Sequence, residues 1–208
     1  MDKMVKIINE VLENIDESLD MESKFKNIME KYNKYIILNH SIEVSQEAMR
    51  LADIFGYDSE KARIAGLLHD IGGIYPNNER INISKALEIE ILREEEELPL
   101  ILHQKISKIL STETMMIKDD EILSAIECHT TLKNNPSKLD MIIFIADKLK
   151  WDQNGEPPYK EMVLNGLGNS LEKGVFEFMD YQIKNGNLKV IHPWFKEGYL
   201  YLKAKISR

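Results

Sequence analysis

His69 and Asp70 stand side by side in Leu67-Leu68-His69-Asp70-Ile71-Gly72-Gly73, where an apolar helical segment runs into two glycines. An imidazole and a carboxylate at the inner end of such a helix must be hydrogen-bonded, paired or bound to metal, because burying them bare is strongly unfavourable. Four other residues answer that demand. His40, His103 and His129 each fall on the apolar stripe of their own helical segment, and Asp147 ends a segment, Leu139 to Asp147, that is apolar nearly all round. The wide intervals between these six residues permit one ligand from each of several packed helices, the way helical bundles build metal sites. Imidazole nitrogen and carboxylate oxygen without sulfur suit iron, manganese or zinc better than magnesium or calcium. Such a centre acidifies water and polarises an acceptor oxygen, which is the chemistry of hydrolysis.

Helical periodicity supplies the elements that must position this set. From Tyr35 to Phe55, the residues Ile36, His40, Val44, Ala48, Leu51 and Phe55 recur every three or four positions, and Gly56 ends the helix. Asp58 or Ser59 caps the next one, whose face is Ala62, Ala65, Gly66 and His69, small enough for close approach to a neighbour. Gly72-Gly73 and Pro76-Asn77-Asn78 mark a loop. Residues 81–97 read as one exposed amphipathic helix, and the run Glu94 to Glu97 as its solvated end, so Glu95→Ala is expected to leave metal and activity unchanged.

Pro99 opens a helix in which His103, Ile106 and Leu110 share a face. Asp119 and Asp120 suit the start of another, with the stripe Ile122, Ala125, Ile126 and His129. Cys128 points about 100° away from that stripe and reads as packing. Ser137 and Asp140 have capping-box spacing and begin the helix of Leu139, Ile143 and Asp147. Of the lysines that could pair with Asp147, Lys150 at i+3 is expected to face it rather than Lys148. A loop over 151–158 leads into a helix from about Tyr159 to Lys184, broken near Gly166-Leu167-Gly168, and Val190 to Phe195 leads into a last helix. Residues 1–32 read as one or two helices packed outside the core. The expectation is an all-α fold: an N-terminal helical extension over 1–32 and one domain over 33–208.

Composition excludes several classes of function. Of 208 residues, 43% are hydrophobic and 30% charged, which is ordinary for a globular chain and unlike a disordered one. A net charge of -8 supplies no basic stripe for a phosphate backbone, so no nucleic-acid partner is expected. Cys128 is the single cysteine, which rules out an internal disulfide and a thiolate cluster. Charged residues from Lys3 to Asp16 interrupt any apolar run, so neither a leader nor a membrane span is expected, and the protein is read as cytoplasmic.

The ordered set His40, His69-Asp70, His103, His129, Asp147 resembles the HD-domain metal phosphohydrolases over residues 35 to 150. Three strings, Ala65-Gly66-Leu67-Leu68-His69-Asp70, His129-Thr130-Thr131 and Ile145-Ala146-Asp147-Lys148, are similar to its YqeK-like branch. The resemblance implies a helical HD bundle with extra N- and C-terminal helices, symmetrical hydrolysis of diadenosine tetraphosphate to two ADP, and iron as the usual metal, with manganese or zinc as alternatives. It implies that His40, His69, Asp70 and Asp147 hold the first metal, and that His103, His129 and Thr130 face a second metal or the substrate phosphates. Asp70 would orient and deprotonate water, with His103 and His129 as further catalytic groups. Val190-Ile191-His192-Pro193-Trp194 resembles a stretch lining the nucleoside part of the pocket, so His192 either touches nucleoside or packs beside Pro193 and Trp194.

Three positions depart from the pattern: Gly73, Ile37 and Gln153 stand where relatives commonly carry basic residues. Lys148, Lys150 and Lys133 are the candidates to supply that charge. A mononucleotide or cyclic nucleotide substrate, a catalytically weak metal-containing nucleotide-binding module, and a purely structural helical protein stay open beside the leading reading. A homodimer is compatible with all of them.

Overall fold

The computed structural model describes residues 3–151 and 155–207. Gln153, one of the departing positions, lies outside the described residues. Among the described residues the elements are helical and there is no strand: α1 (Lys3–Leu12), α2 (Met21–Lys31), α3 (Tyr35–Phe55), α4 (Ser59–Leu68), α5 (Arg80–Ala86), α6 (Arg93–Glu97), α7 (His103–Met115), α8 (Asp120–Cys128), α9 (Lys138–Leu149), α10 (Lys160–Leu167), α11 (Leu171–Lys184) and α12 (Pro193–Ile206), with 3-10 turns at Ile71–Ile74 and Pro99–Leu102. None of these helices is long and apolar enough to cross a membrane.

The sequence sets the ends of the helices that matter. Gly56 closes α3 in the left-handed region at φ 62°, and Asp58 starts α4 by accepting from the Glu60 and Lys61 N–H groups. Asp119 does the same for α8 through Glu121 and Ile122, and Ser137 with Asp140 forms the capping box of α9. The packed centre is α3 against α4 and α9, with α8 meeting α4, α7 and α9. In α9, Ile142, Ile143, Phe144 and Ile145 are all fully buried. Each such side chain contributes roughly 1.5–3 kcal/mol, so this helix anchors the core rather than covering it.

Two glycines decide how closely elements approach. A Cβ on Gly66 would sit 2.8 Å from the Ser45 Cα, which is why α4 can press its backbone onto α3. One on Gly72 would lie 2.5 Å from the His103 carbonyl oxygen and 2.8 Å from the Ser107 nitrogen. The turn Ile71–Ile74 therefore lies directly on α7, with the Gly72 N–H donating to Ser107 Oγ at 2.9 Å. This seats Asp70 against the first turn of α7.

The structure corrects three expectations. Residues 81–97 form two short helices: α5 closes with the Ile89 N–H bonded back to the Ser84 carbonyl and Glu88 at φ 58°, which buries Leu87 and restarts the chain at α6. Helices α1 and α2 do not lie outside the core, since Val11, Phe25, Ile28 and Met29 are buried in the same cluster as α3 and α9. Asp147 is met by the adjacent Lys148, whereas Lys150 turns to Glu47 at 3.7 Å. Position i+1 suffices because Asp147 stands near the end of α9, where a long side chain can fold back over the last turn. The break at Gly166-Leu167-Gly168 is as expected, with α10 and α11 packed through Gly166 and Gly174.

Candidate metal centre

Five elements deliver six side chains to one point. His40 comes from the second turn of α3 and Asp147 from the last turn of α9, while His69, His103 and His129 each stand at a helix end, with Asp70 following His69. The three end histidines share one local device: Nδ1 meets the backbone carbonyl three residues back, at Gly66 (2.7 Å), Leu100 (2.5 Å) and Ile126 (2.8 Å) respectively. A carbonyl can only accept, so Nδ1 carries the proton and, in the neutral ring, Nε2 presents a bare lone pair inward. Backbone geometry thus fixes which nitrogen faces the centre.

The inward atoms converge. His40 Nε2 lies 3.0 Å from Asp147 Oδ1, and His69 Nε2 lies 3.7 Å from the same oxygen and 3.6 Å from Asp70 Oδ2. Asp70 Oδ1 is 3.2 Å from His103 Nε2 and 3.4 Å from His129 Nε2. Two triads, His40–His69–Asp147 and His69–Asp70–His129, each keep their ligand atoms within 4.8 Å of one another. His69 Nε2 is fully buried and has no hydrogen-bond partner. An orphaned imidazole lone pair between two carboxylates fits a cation, and the all-nitrogen-and-oxygen donor set fits a borderline transition metal. Cys128 is buried elsewhere, beside Asp140, where burial pushes its thiol up.

Electrostatics agree with the geometry. Burial opposes ionisation of Asp70, yet His69 and the rings of His103 and His129 hold its carboxyl well below the usual carboxylate range. For Asp147, burial is likewise outweighed by Lys148, His40 and His69. Burial depresses His69, but Asp70 and Asp147 outweigh it and its pKa rises. Burial pushes the His129 imidazole down to about 4, which keeps it neutral and able to ligate at pH 7. Asp70 retains 22% exposure of its side chain while His69 has none, so the cluster is open on the Asp70 side.

Beside the cluster lies a cavity of about 320 Å³ lined by Leu98, Ile101, Thr130, Lys148, His192 and Phe195. Thr130 Oγ1 lies 3.1 Å from His103 Nε2, and Lys148 touches Asp147, so two lining residues also touch the cluster. His192 is buried beside Trp194 and caps α12, its Nδ1 accepting from the Trp194 N–H at 3.2 Å. Of the candidate replacement cations, only Lys148 reaches the site. Lys133 is held by Ser124 and Asp140, and Lys150 by Glu47. The Gly73 and Ile37 departures meet in space: a Cβ on Gly73 would fall 2.6 Å from Ile37 Cδ1.

The residues 37–152 match the HD domain family. This chain is a member of it. The HD protein is 48% identical over 147 residues to an "Uncharacterized protein in pepC 5'region" of Lactococcus lactis subsp. cremoris, covering 71% of this chain and 75% of that one. It is 31% identical over 143 residues to the symmetrical bis(5'-nucleosyl)-tetraphosphatase of Staphylococcus aureus, covering 67% of this chain and 71% of that one. A crystal structure of a "predicted HD superfamily hydrolase involved in NAD metabolism", from Clostridium acetobutylicum, superposes with TM-score 0.71 at 29% identity over 97% of both chains.

Sequence periodicity misses three residues that support this HD site. Glu95, read as solvated, is fully buried and paired to Lys105 at 2.8 Å. Leu92 and Leu98 flank it at three positions on either side, and that spacing is the signal that turns it inward. Gln104 is buried and accepts the Thr130 N–H at 3.1 Å, clamping the loop after His129 to α7. Arg80 is buried, donates to the Tyr75 and Leu100 carbonyls at 3.0 and 2.8 Å, and so shares with His103 the carbonyl that orients it. Neither Gln104 nor Arg80 stands on an apolar stripe, and no sequence signal singles them out.

Proposed function

We propose that this HD-domain protein is a metal-dependent phosphohydrolase that splits diadenosine tetraphosphate with one water into two ADP. The observation that carries the reading is the convergence of His40, His69, Asp70, His103, His129 and Asp147 beside a nucleotide-sized cavity. Relatives carrying the printed activity of symmetrical bis(5'-nucleosyl)-tetraphosphatase support the substrate. In this assignment His40, His69, Asp70 and Asp147 hold the metal, and His103 and His129 face a second ion or the phosphates. When bound there, a cation would acidify water to a pKa of about 7 and withdraw charge from phosphoryl oxygen. Iron is our first choice, with manganese and zinc as alternatives of the same ligand chemistry.

The chain's own residues supply the rest. Asp70, kept ionised, orients water and takes its proton. Charge that gathers on the phosphoryl and leaving oxygens in a largely dissociative transition state is met by Thr130 Oγ1, by Lys148 and by His103 in its protonated form. His192 and Phe195 border the part of the cavity that would take a nucleoside. Residues 33–208 form the hydrolase unit in this reading, and 1–32 a helical extension joined to its core.

The apolar contact of Ile37 with Gly73 favours a second reading, in which fewer phosphates are bound and a mononucleotide or cyclic nucleotide is the substrate. A product assay separates them: metal-loaded protein is offered diadenosine tetraphosphate, nucleoside mono-, di- and triphosphates and cyclic nucleotides. ADP as the sole product of the dinucleotide is the expected result. An intact dinucleotide beside turnover of a mononucleotide would reject the substrate assignment.

A further inference from the structure

The charged cluster of Glu95, Lys105 and His192 lies outside the six-residue centre and shares no side chain with it. Glu95 Oε2 accepts from the Leu92 N–H at 2.8 Å and from Lys105 Nζ at 2.8 Å. Lys105 also donates to the Glu90 carbonyl at 2.9 Å and lies 5.0 Å from the centre of the Trp194 ring. The other carboxylate oxygen, Oε1, faces His192 Nε2 at 3.4 Å, and both atoms are buried with no hydrogen-bond partner. Because His192 Nδ1 accepts from the Trp194 N–H, the neutral ring carries its proton on Nε2, aimed at Glu95.

A buried ion pair is a poor source of stability, since desolvation of both charges offsets their attraction and an apolar pair of equal volume does as well or better. What it fixes is register. Here it ties three elements together: α6 through Glu95, α7 through Lys105, two residues after His103, and the start of α12 through His192 and Trp194. The last of these brings His192 and Phe195 to the cavity beside Thr130 and Lys148.

We infer that Glu95 is a positioning residue for substrate, acting through His192 to hold the 190–195 segment as the wall of the pocket next to the metal centre. The inference rests on the proposed nucleotide substrate. Glu95 makes no contact with the six ligating side chains, so its loss loosens binding and leaves the hydrolytic step in place.

The test compares wild type with Glu95→Gln, both metal-loaded and shown folded by circular dichroism well below their melting temperatures. We expect KM for diadenosine tetraphosphate and the calorimetric Kd for ADP to rise about tenfold, with kcat within about threefold and metal content unchanged. Trp194 emission should shift to the red as its ring loses a fixed neighbour. Should Glu95→Gln not fold, Glu95→Leu combined with Lys105→Met restores packing without the charge pair, and the same loss of affinity is expected. Wild-type KM and ADP affinity in a folded variant, or a fall in kcat at unchanged KM, overturns the inference. A wild type that binds ADP without cleaving the dinucleotide rejects the substrate assignment alone, since the ADP comparison still decides the role of Glu95. A wild type that binds no ADP overturns the inference.

Discussion

His103 and His129 bring their Nε2 atoms to 2.9 Å of each other, although each ring already commits Nδ1 to a backbone carbonyl. Two bare lone pairs at that distance repel, and Asp70 Oδ1 stands beside both. A proton or a cation between them turns the repulsion into attraction. Burial holds His129 down at about 4, so its ring is neutral at pH 7 and its inward nitrogen is free to ligate a cation.

A metal ion should therefore stabilise the fold. At a free concentration near a thousand times its Kd, an ion that binds only the native state adds about 4 kcal/mol. For a chain of this length that corresponds to roughly 8–16 °C in melting temperature. Thermal melts with iron, manganese or zinc, and again with chelator, check this alongside elemental analysis. A melt indifferent to every metal, with none bound, would remove the hydrolase reading.

Asp70→Asn keeps the shape of the side chain and removes the charge that both the cation and the proton transfer require. We expect kcat/KM to fall by at least about a thousandfold, or about 4 kcal/mol of transition-state stabilisation. Metal content should fall with it, and Asp70→Ala should lose both outright. Retained turnover in Asp70→Asn would move the proton acceptor to another group.

The histidines and aspartates of the centre were legible because each occupies a position that helical periodicity marks as buried, where an ionisable group needs a reason. His40 on the stripe of Val44, Ala48 and Leu51 is the clearest instance. The limits of periodicity appear where the chain leaves regular helices. Glu88 takes a left-handed conformation without glycine, so the division of 81–97 into α5 and α6 leaves no mark in the pattern, and only the flanking Leu92 and Leu98 mark Glu95 as inward-facing. Arg80 and Gln104 work through backbone carbonyls and amides, partners that every residue possesses and no sequence displays. The pairing of Ile37 with Gly73 is a different case: two departures from the family pattern are one packing contact, which only coordinates bring together.

Gly72 and Gly73 are adjacent, follow Asp70 closely, and should respond differently to alanine. A methyl at 72 meets backbone, the His103 carbonyl and the Ser107 nitrogen, neither of which can move without shifting α7. A methyl at 73 meets the terminal carbon of Ile37, which can rotate away. Gly72→Ala is expected to cost about 2–3 kcal/mol and to reduce activity by displacing His103, while Gly73→Ala costs less than about 1 kcal/mol. Urea unfolding of the two variants, with Gly73→Ala repeated on Ile37→Ala to relieve the contact, measures both. Equal costs would mean that the turn does not rest on α7 as described.

The Glu95–Lys105 pair predicts a pH dependence with a definite sign. Burial raises the Glu95 pKa, but His192, the Leu92 N–H and Lys105 together bring it below its ordinary value of 4.5. A carboxyl whose folded pKa lies below its unfolded one contributes stability that is complete above the unfolded value and is lost as pH falls through the folded one. Glu95→Gln keeps an acceptor for Leu92 and strands Lys105 without its counter-charge, at a cost of about 2–3 kcal/mol near pH 7, below the full penalty of a broken buried pair. The gap between wild type and Glu95→Gln in urea should hold steady from pH 8 to about 5 and narrow below about 4.5, where the carboxyl of the unfolded chain takes up a proton before the folded one does. A gap that widens on acidification would show that the carboxyl is already neutral in the folded protein, and Lys105 would then need another partner.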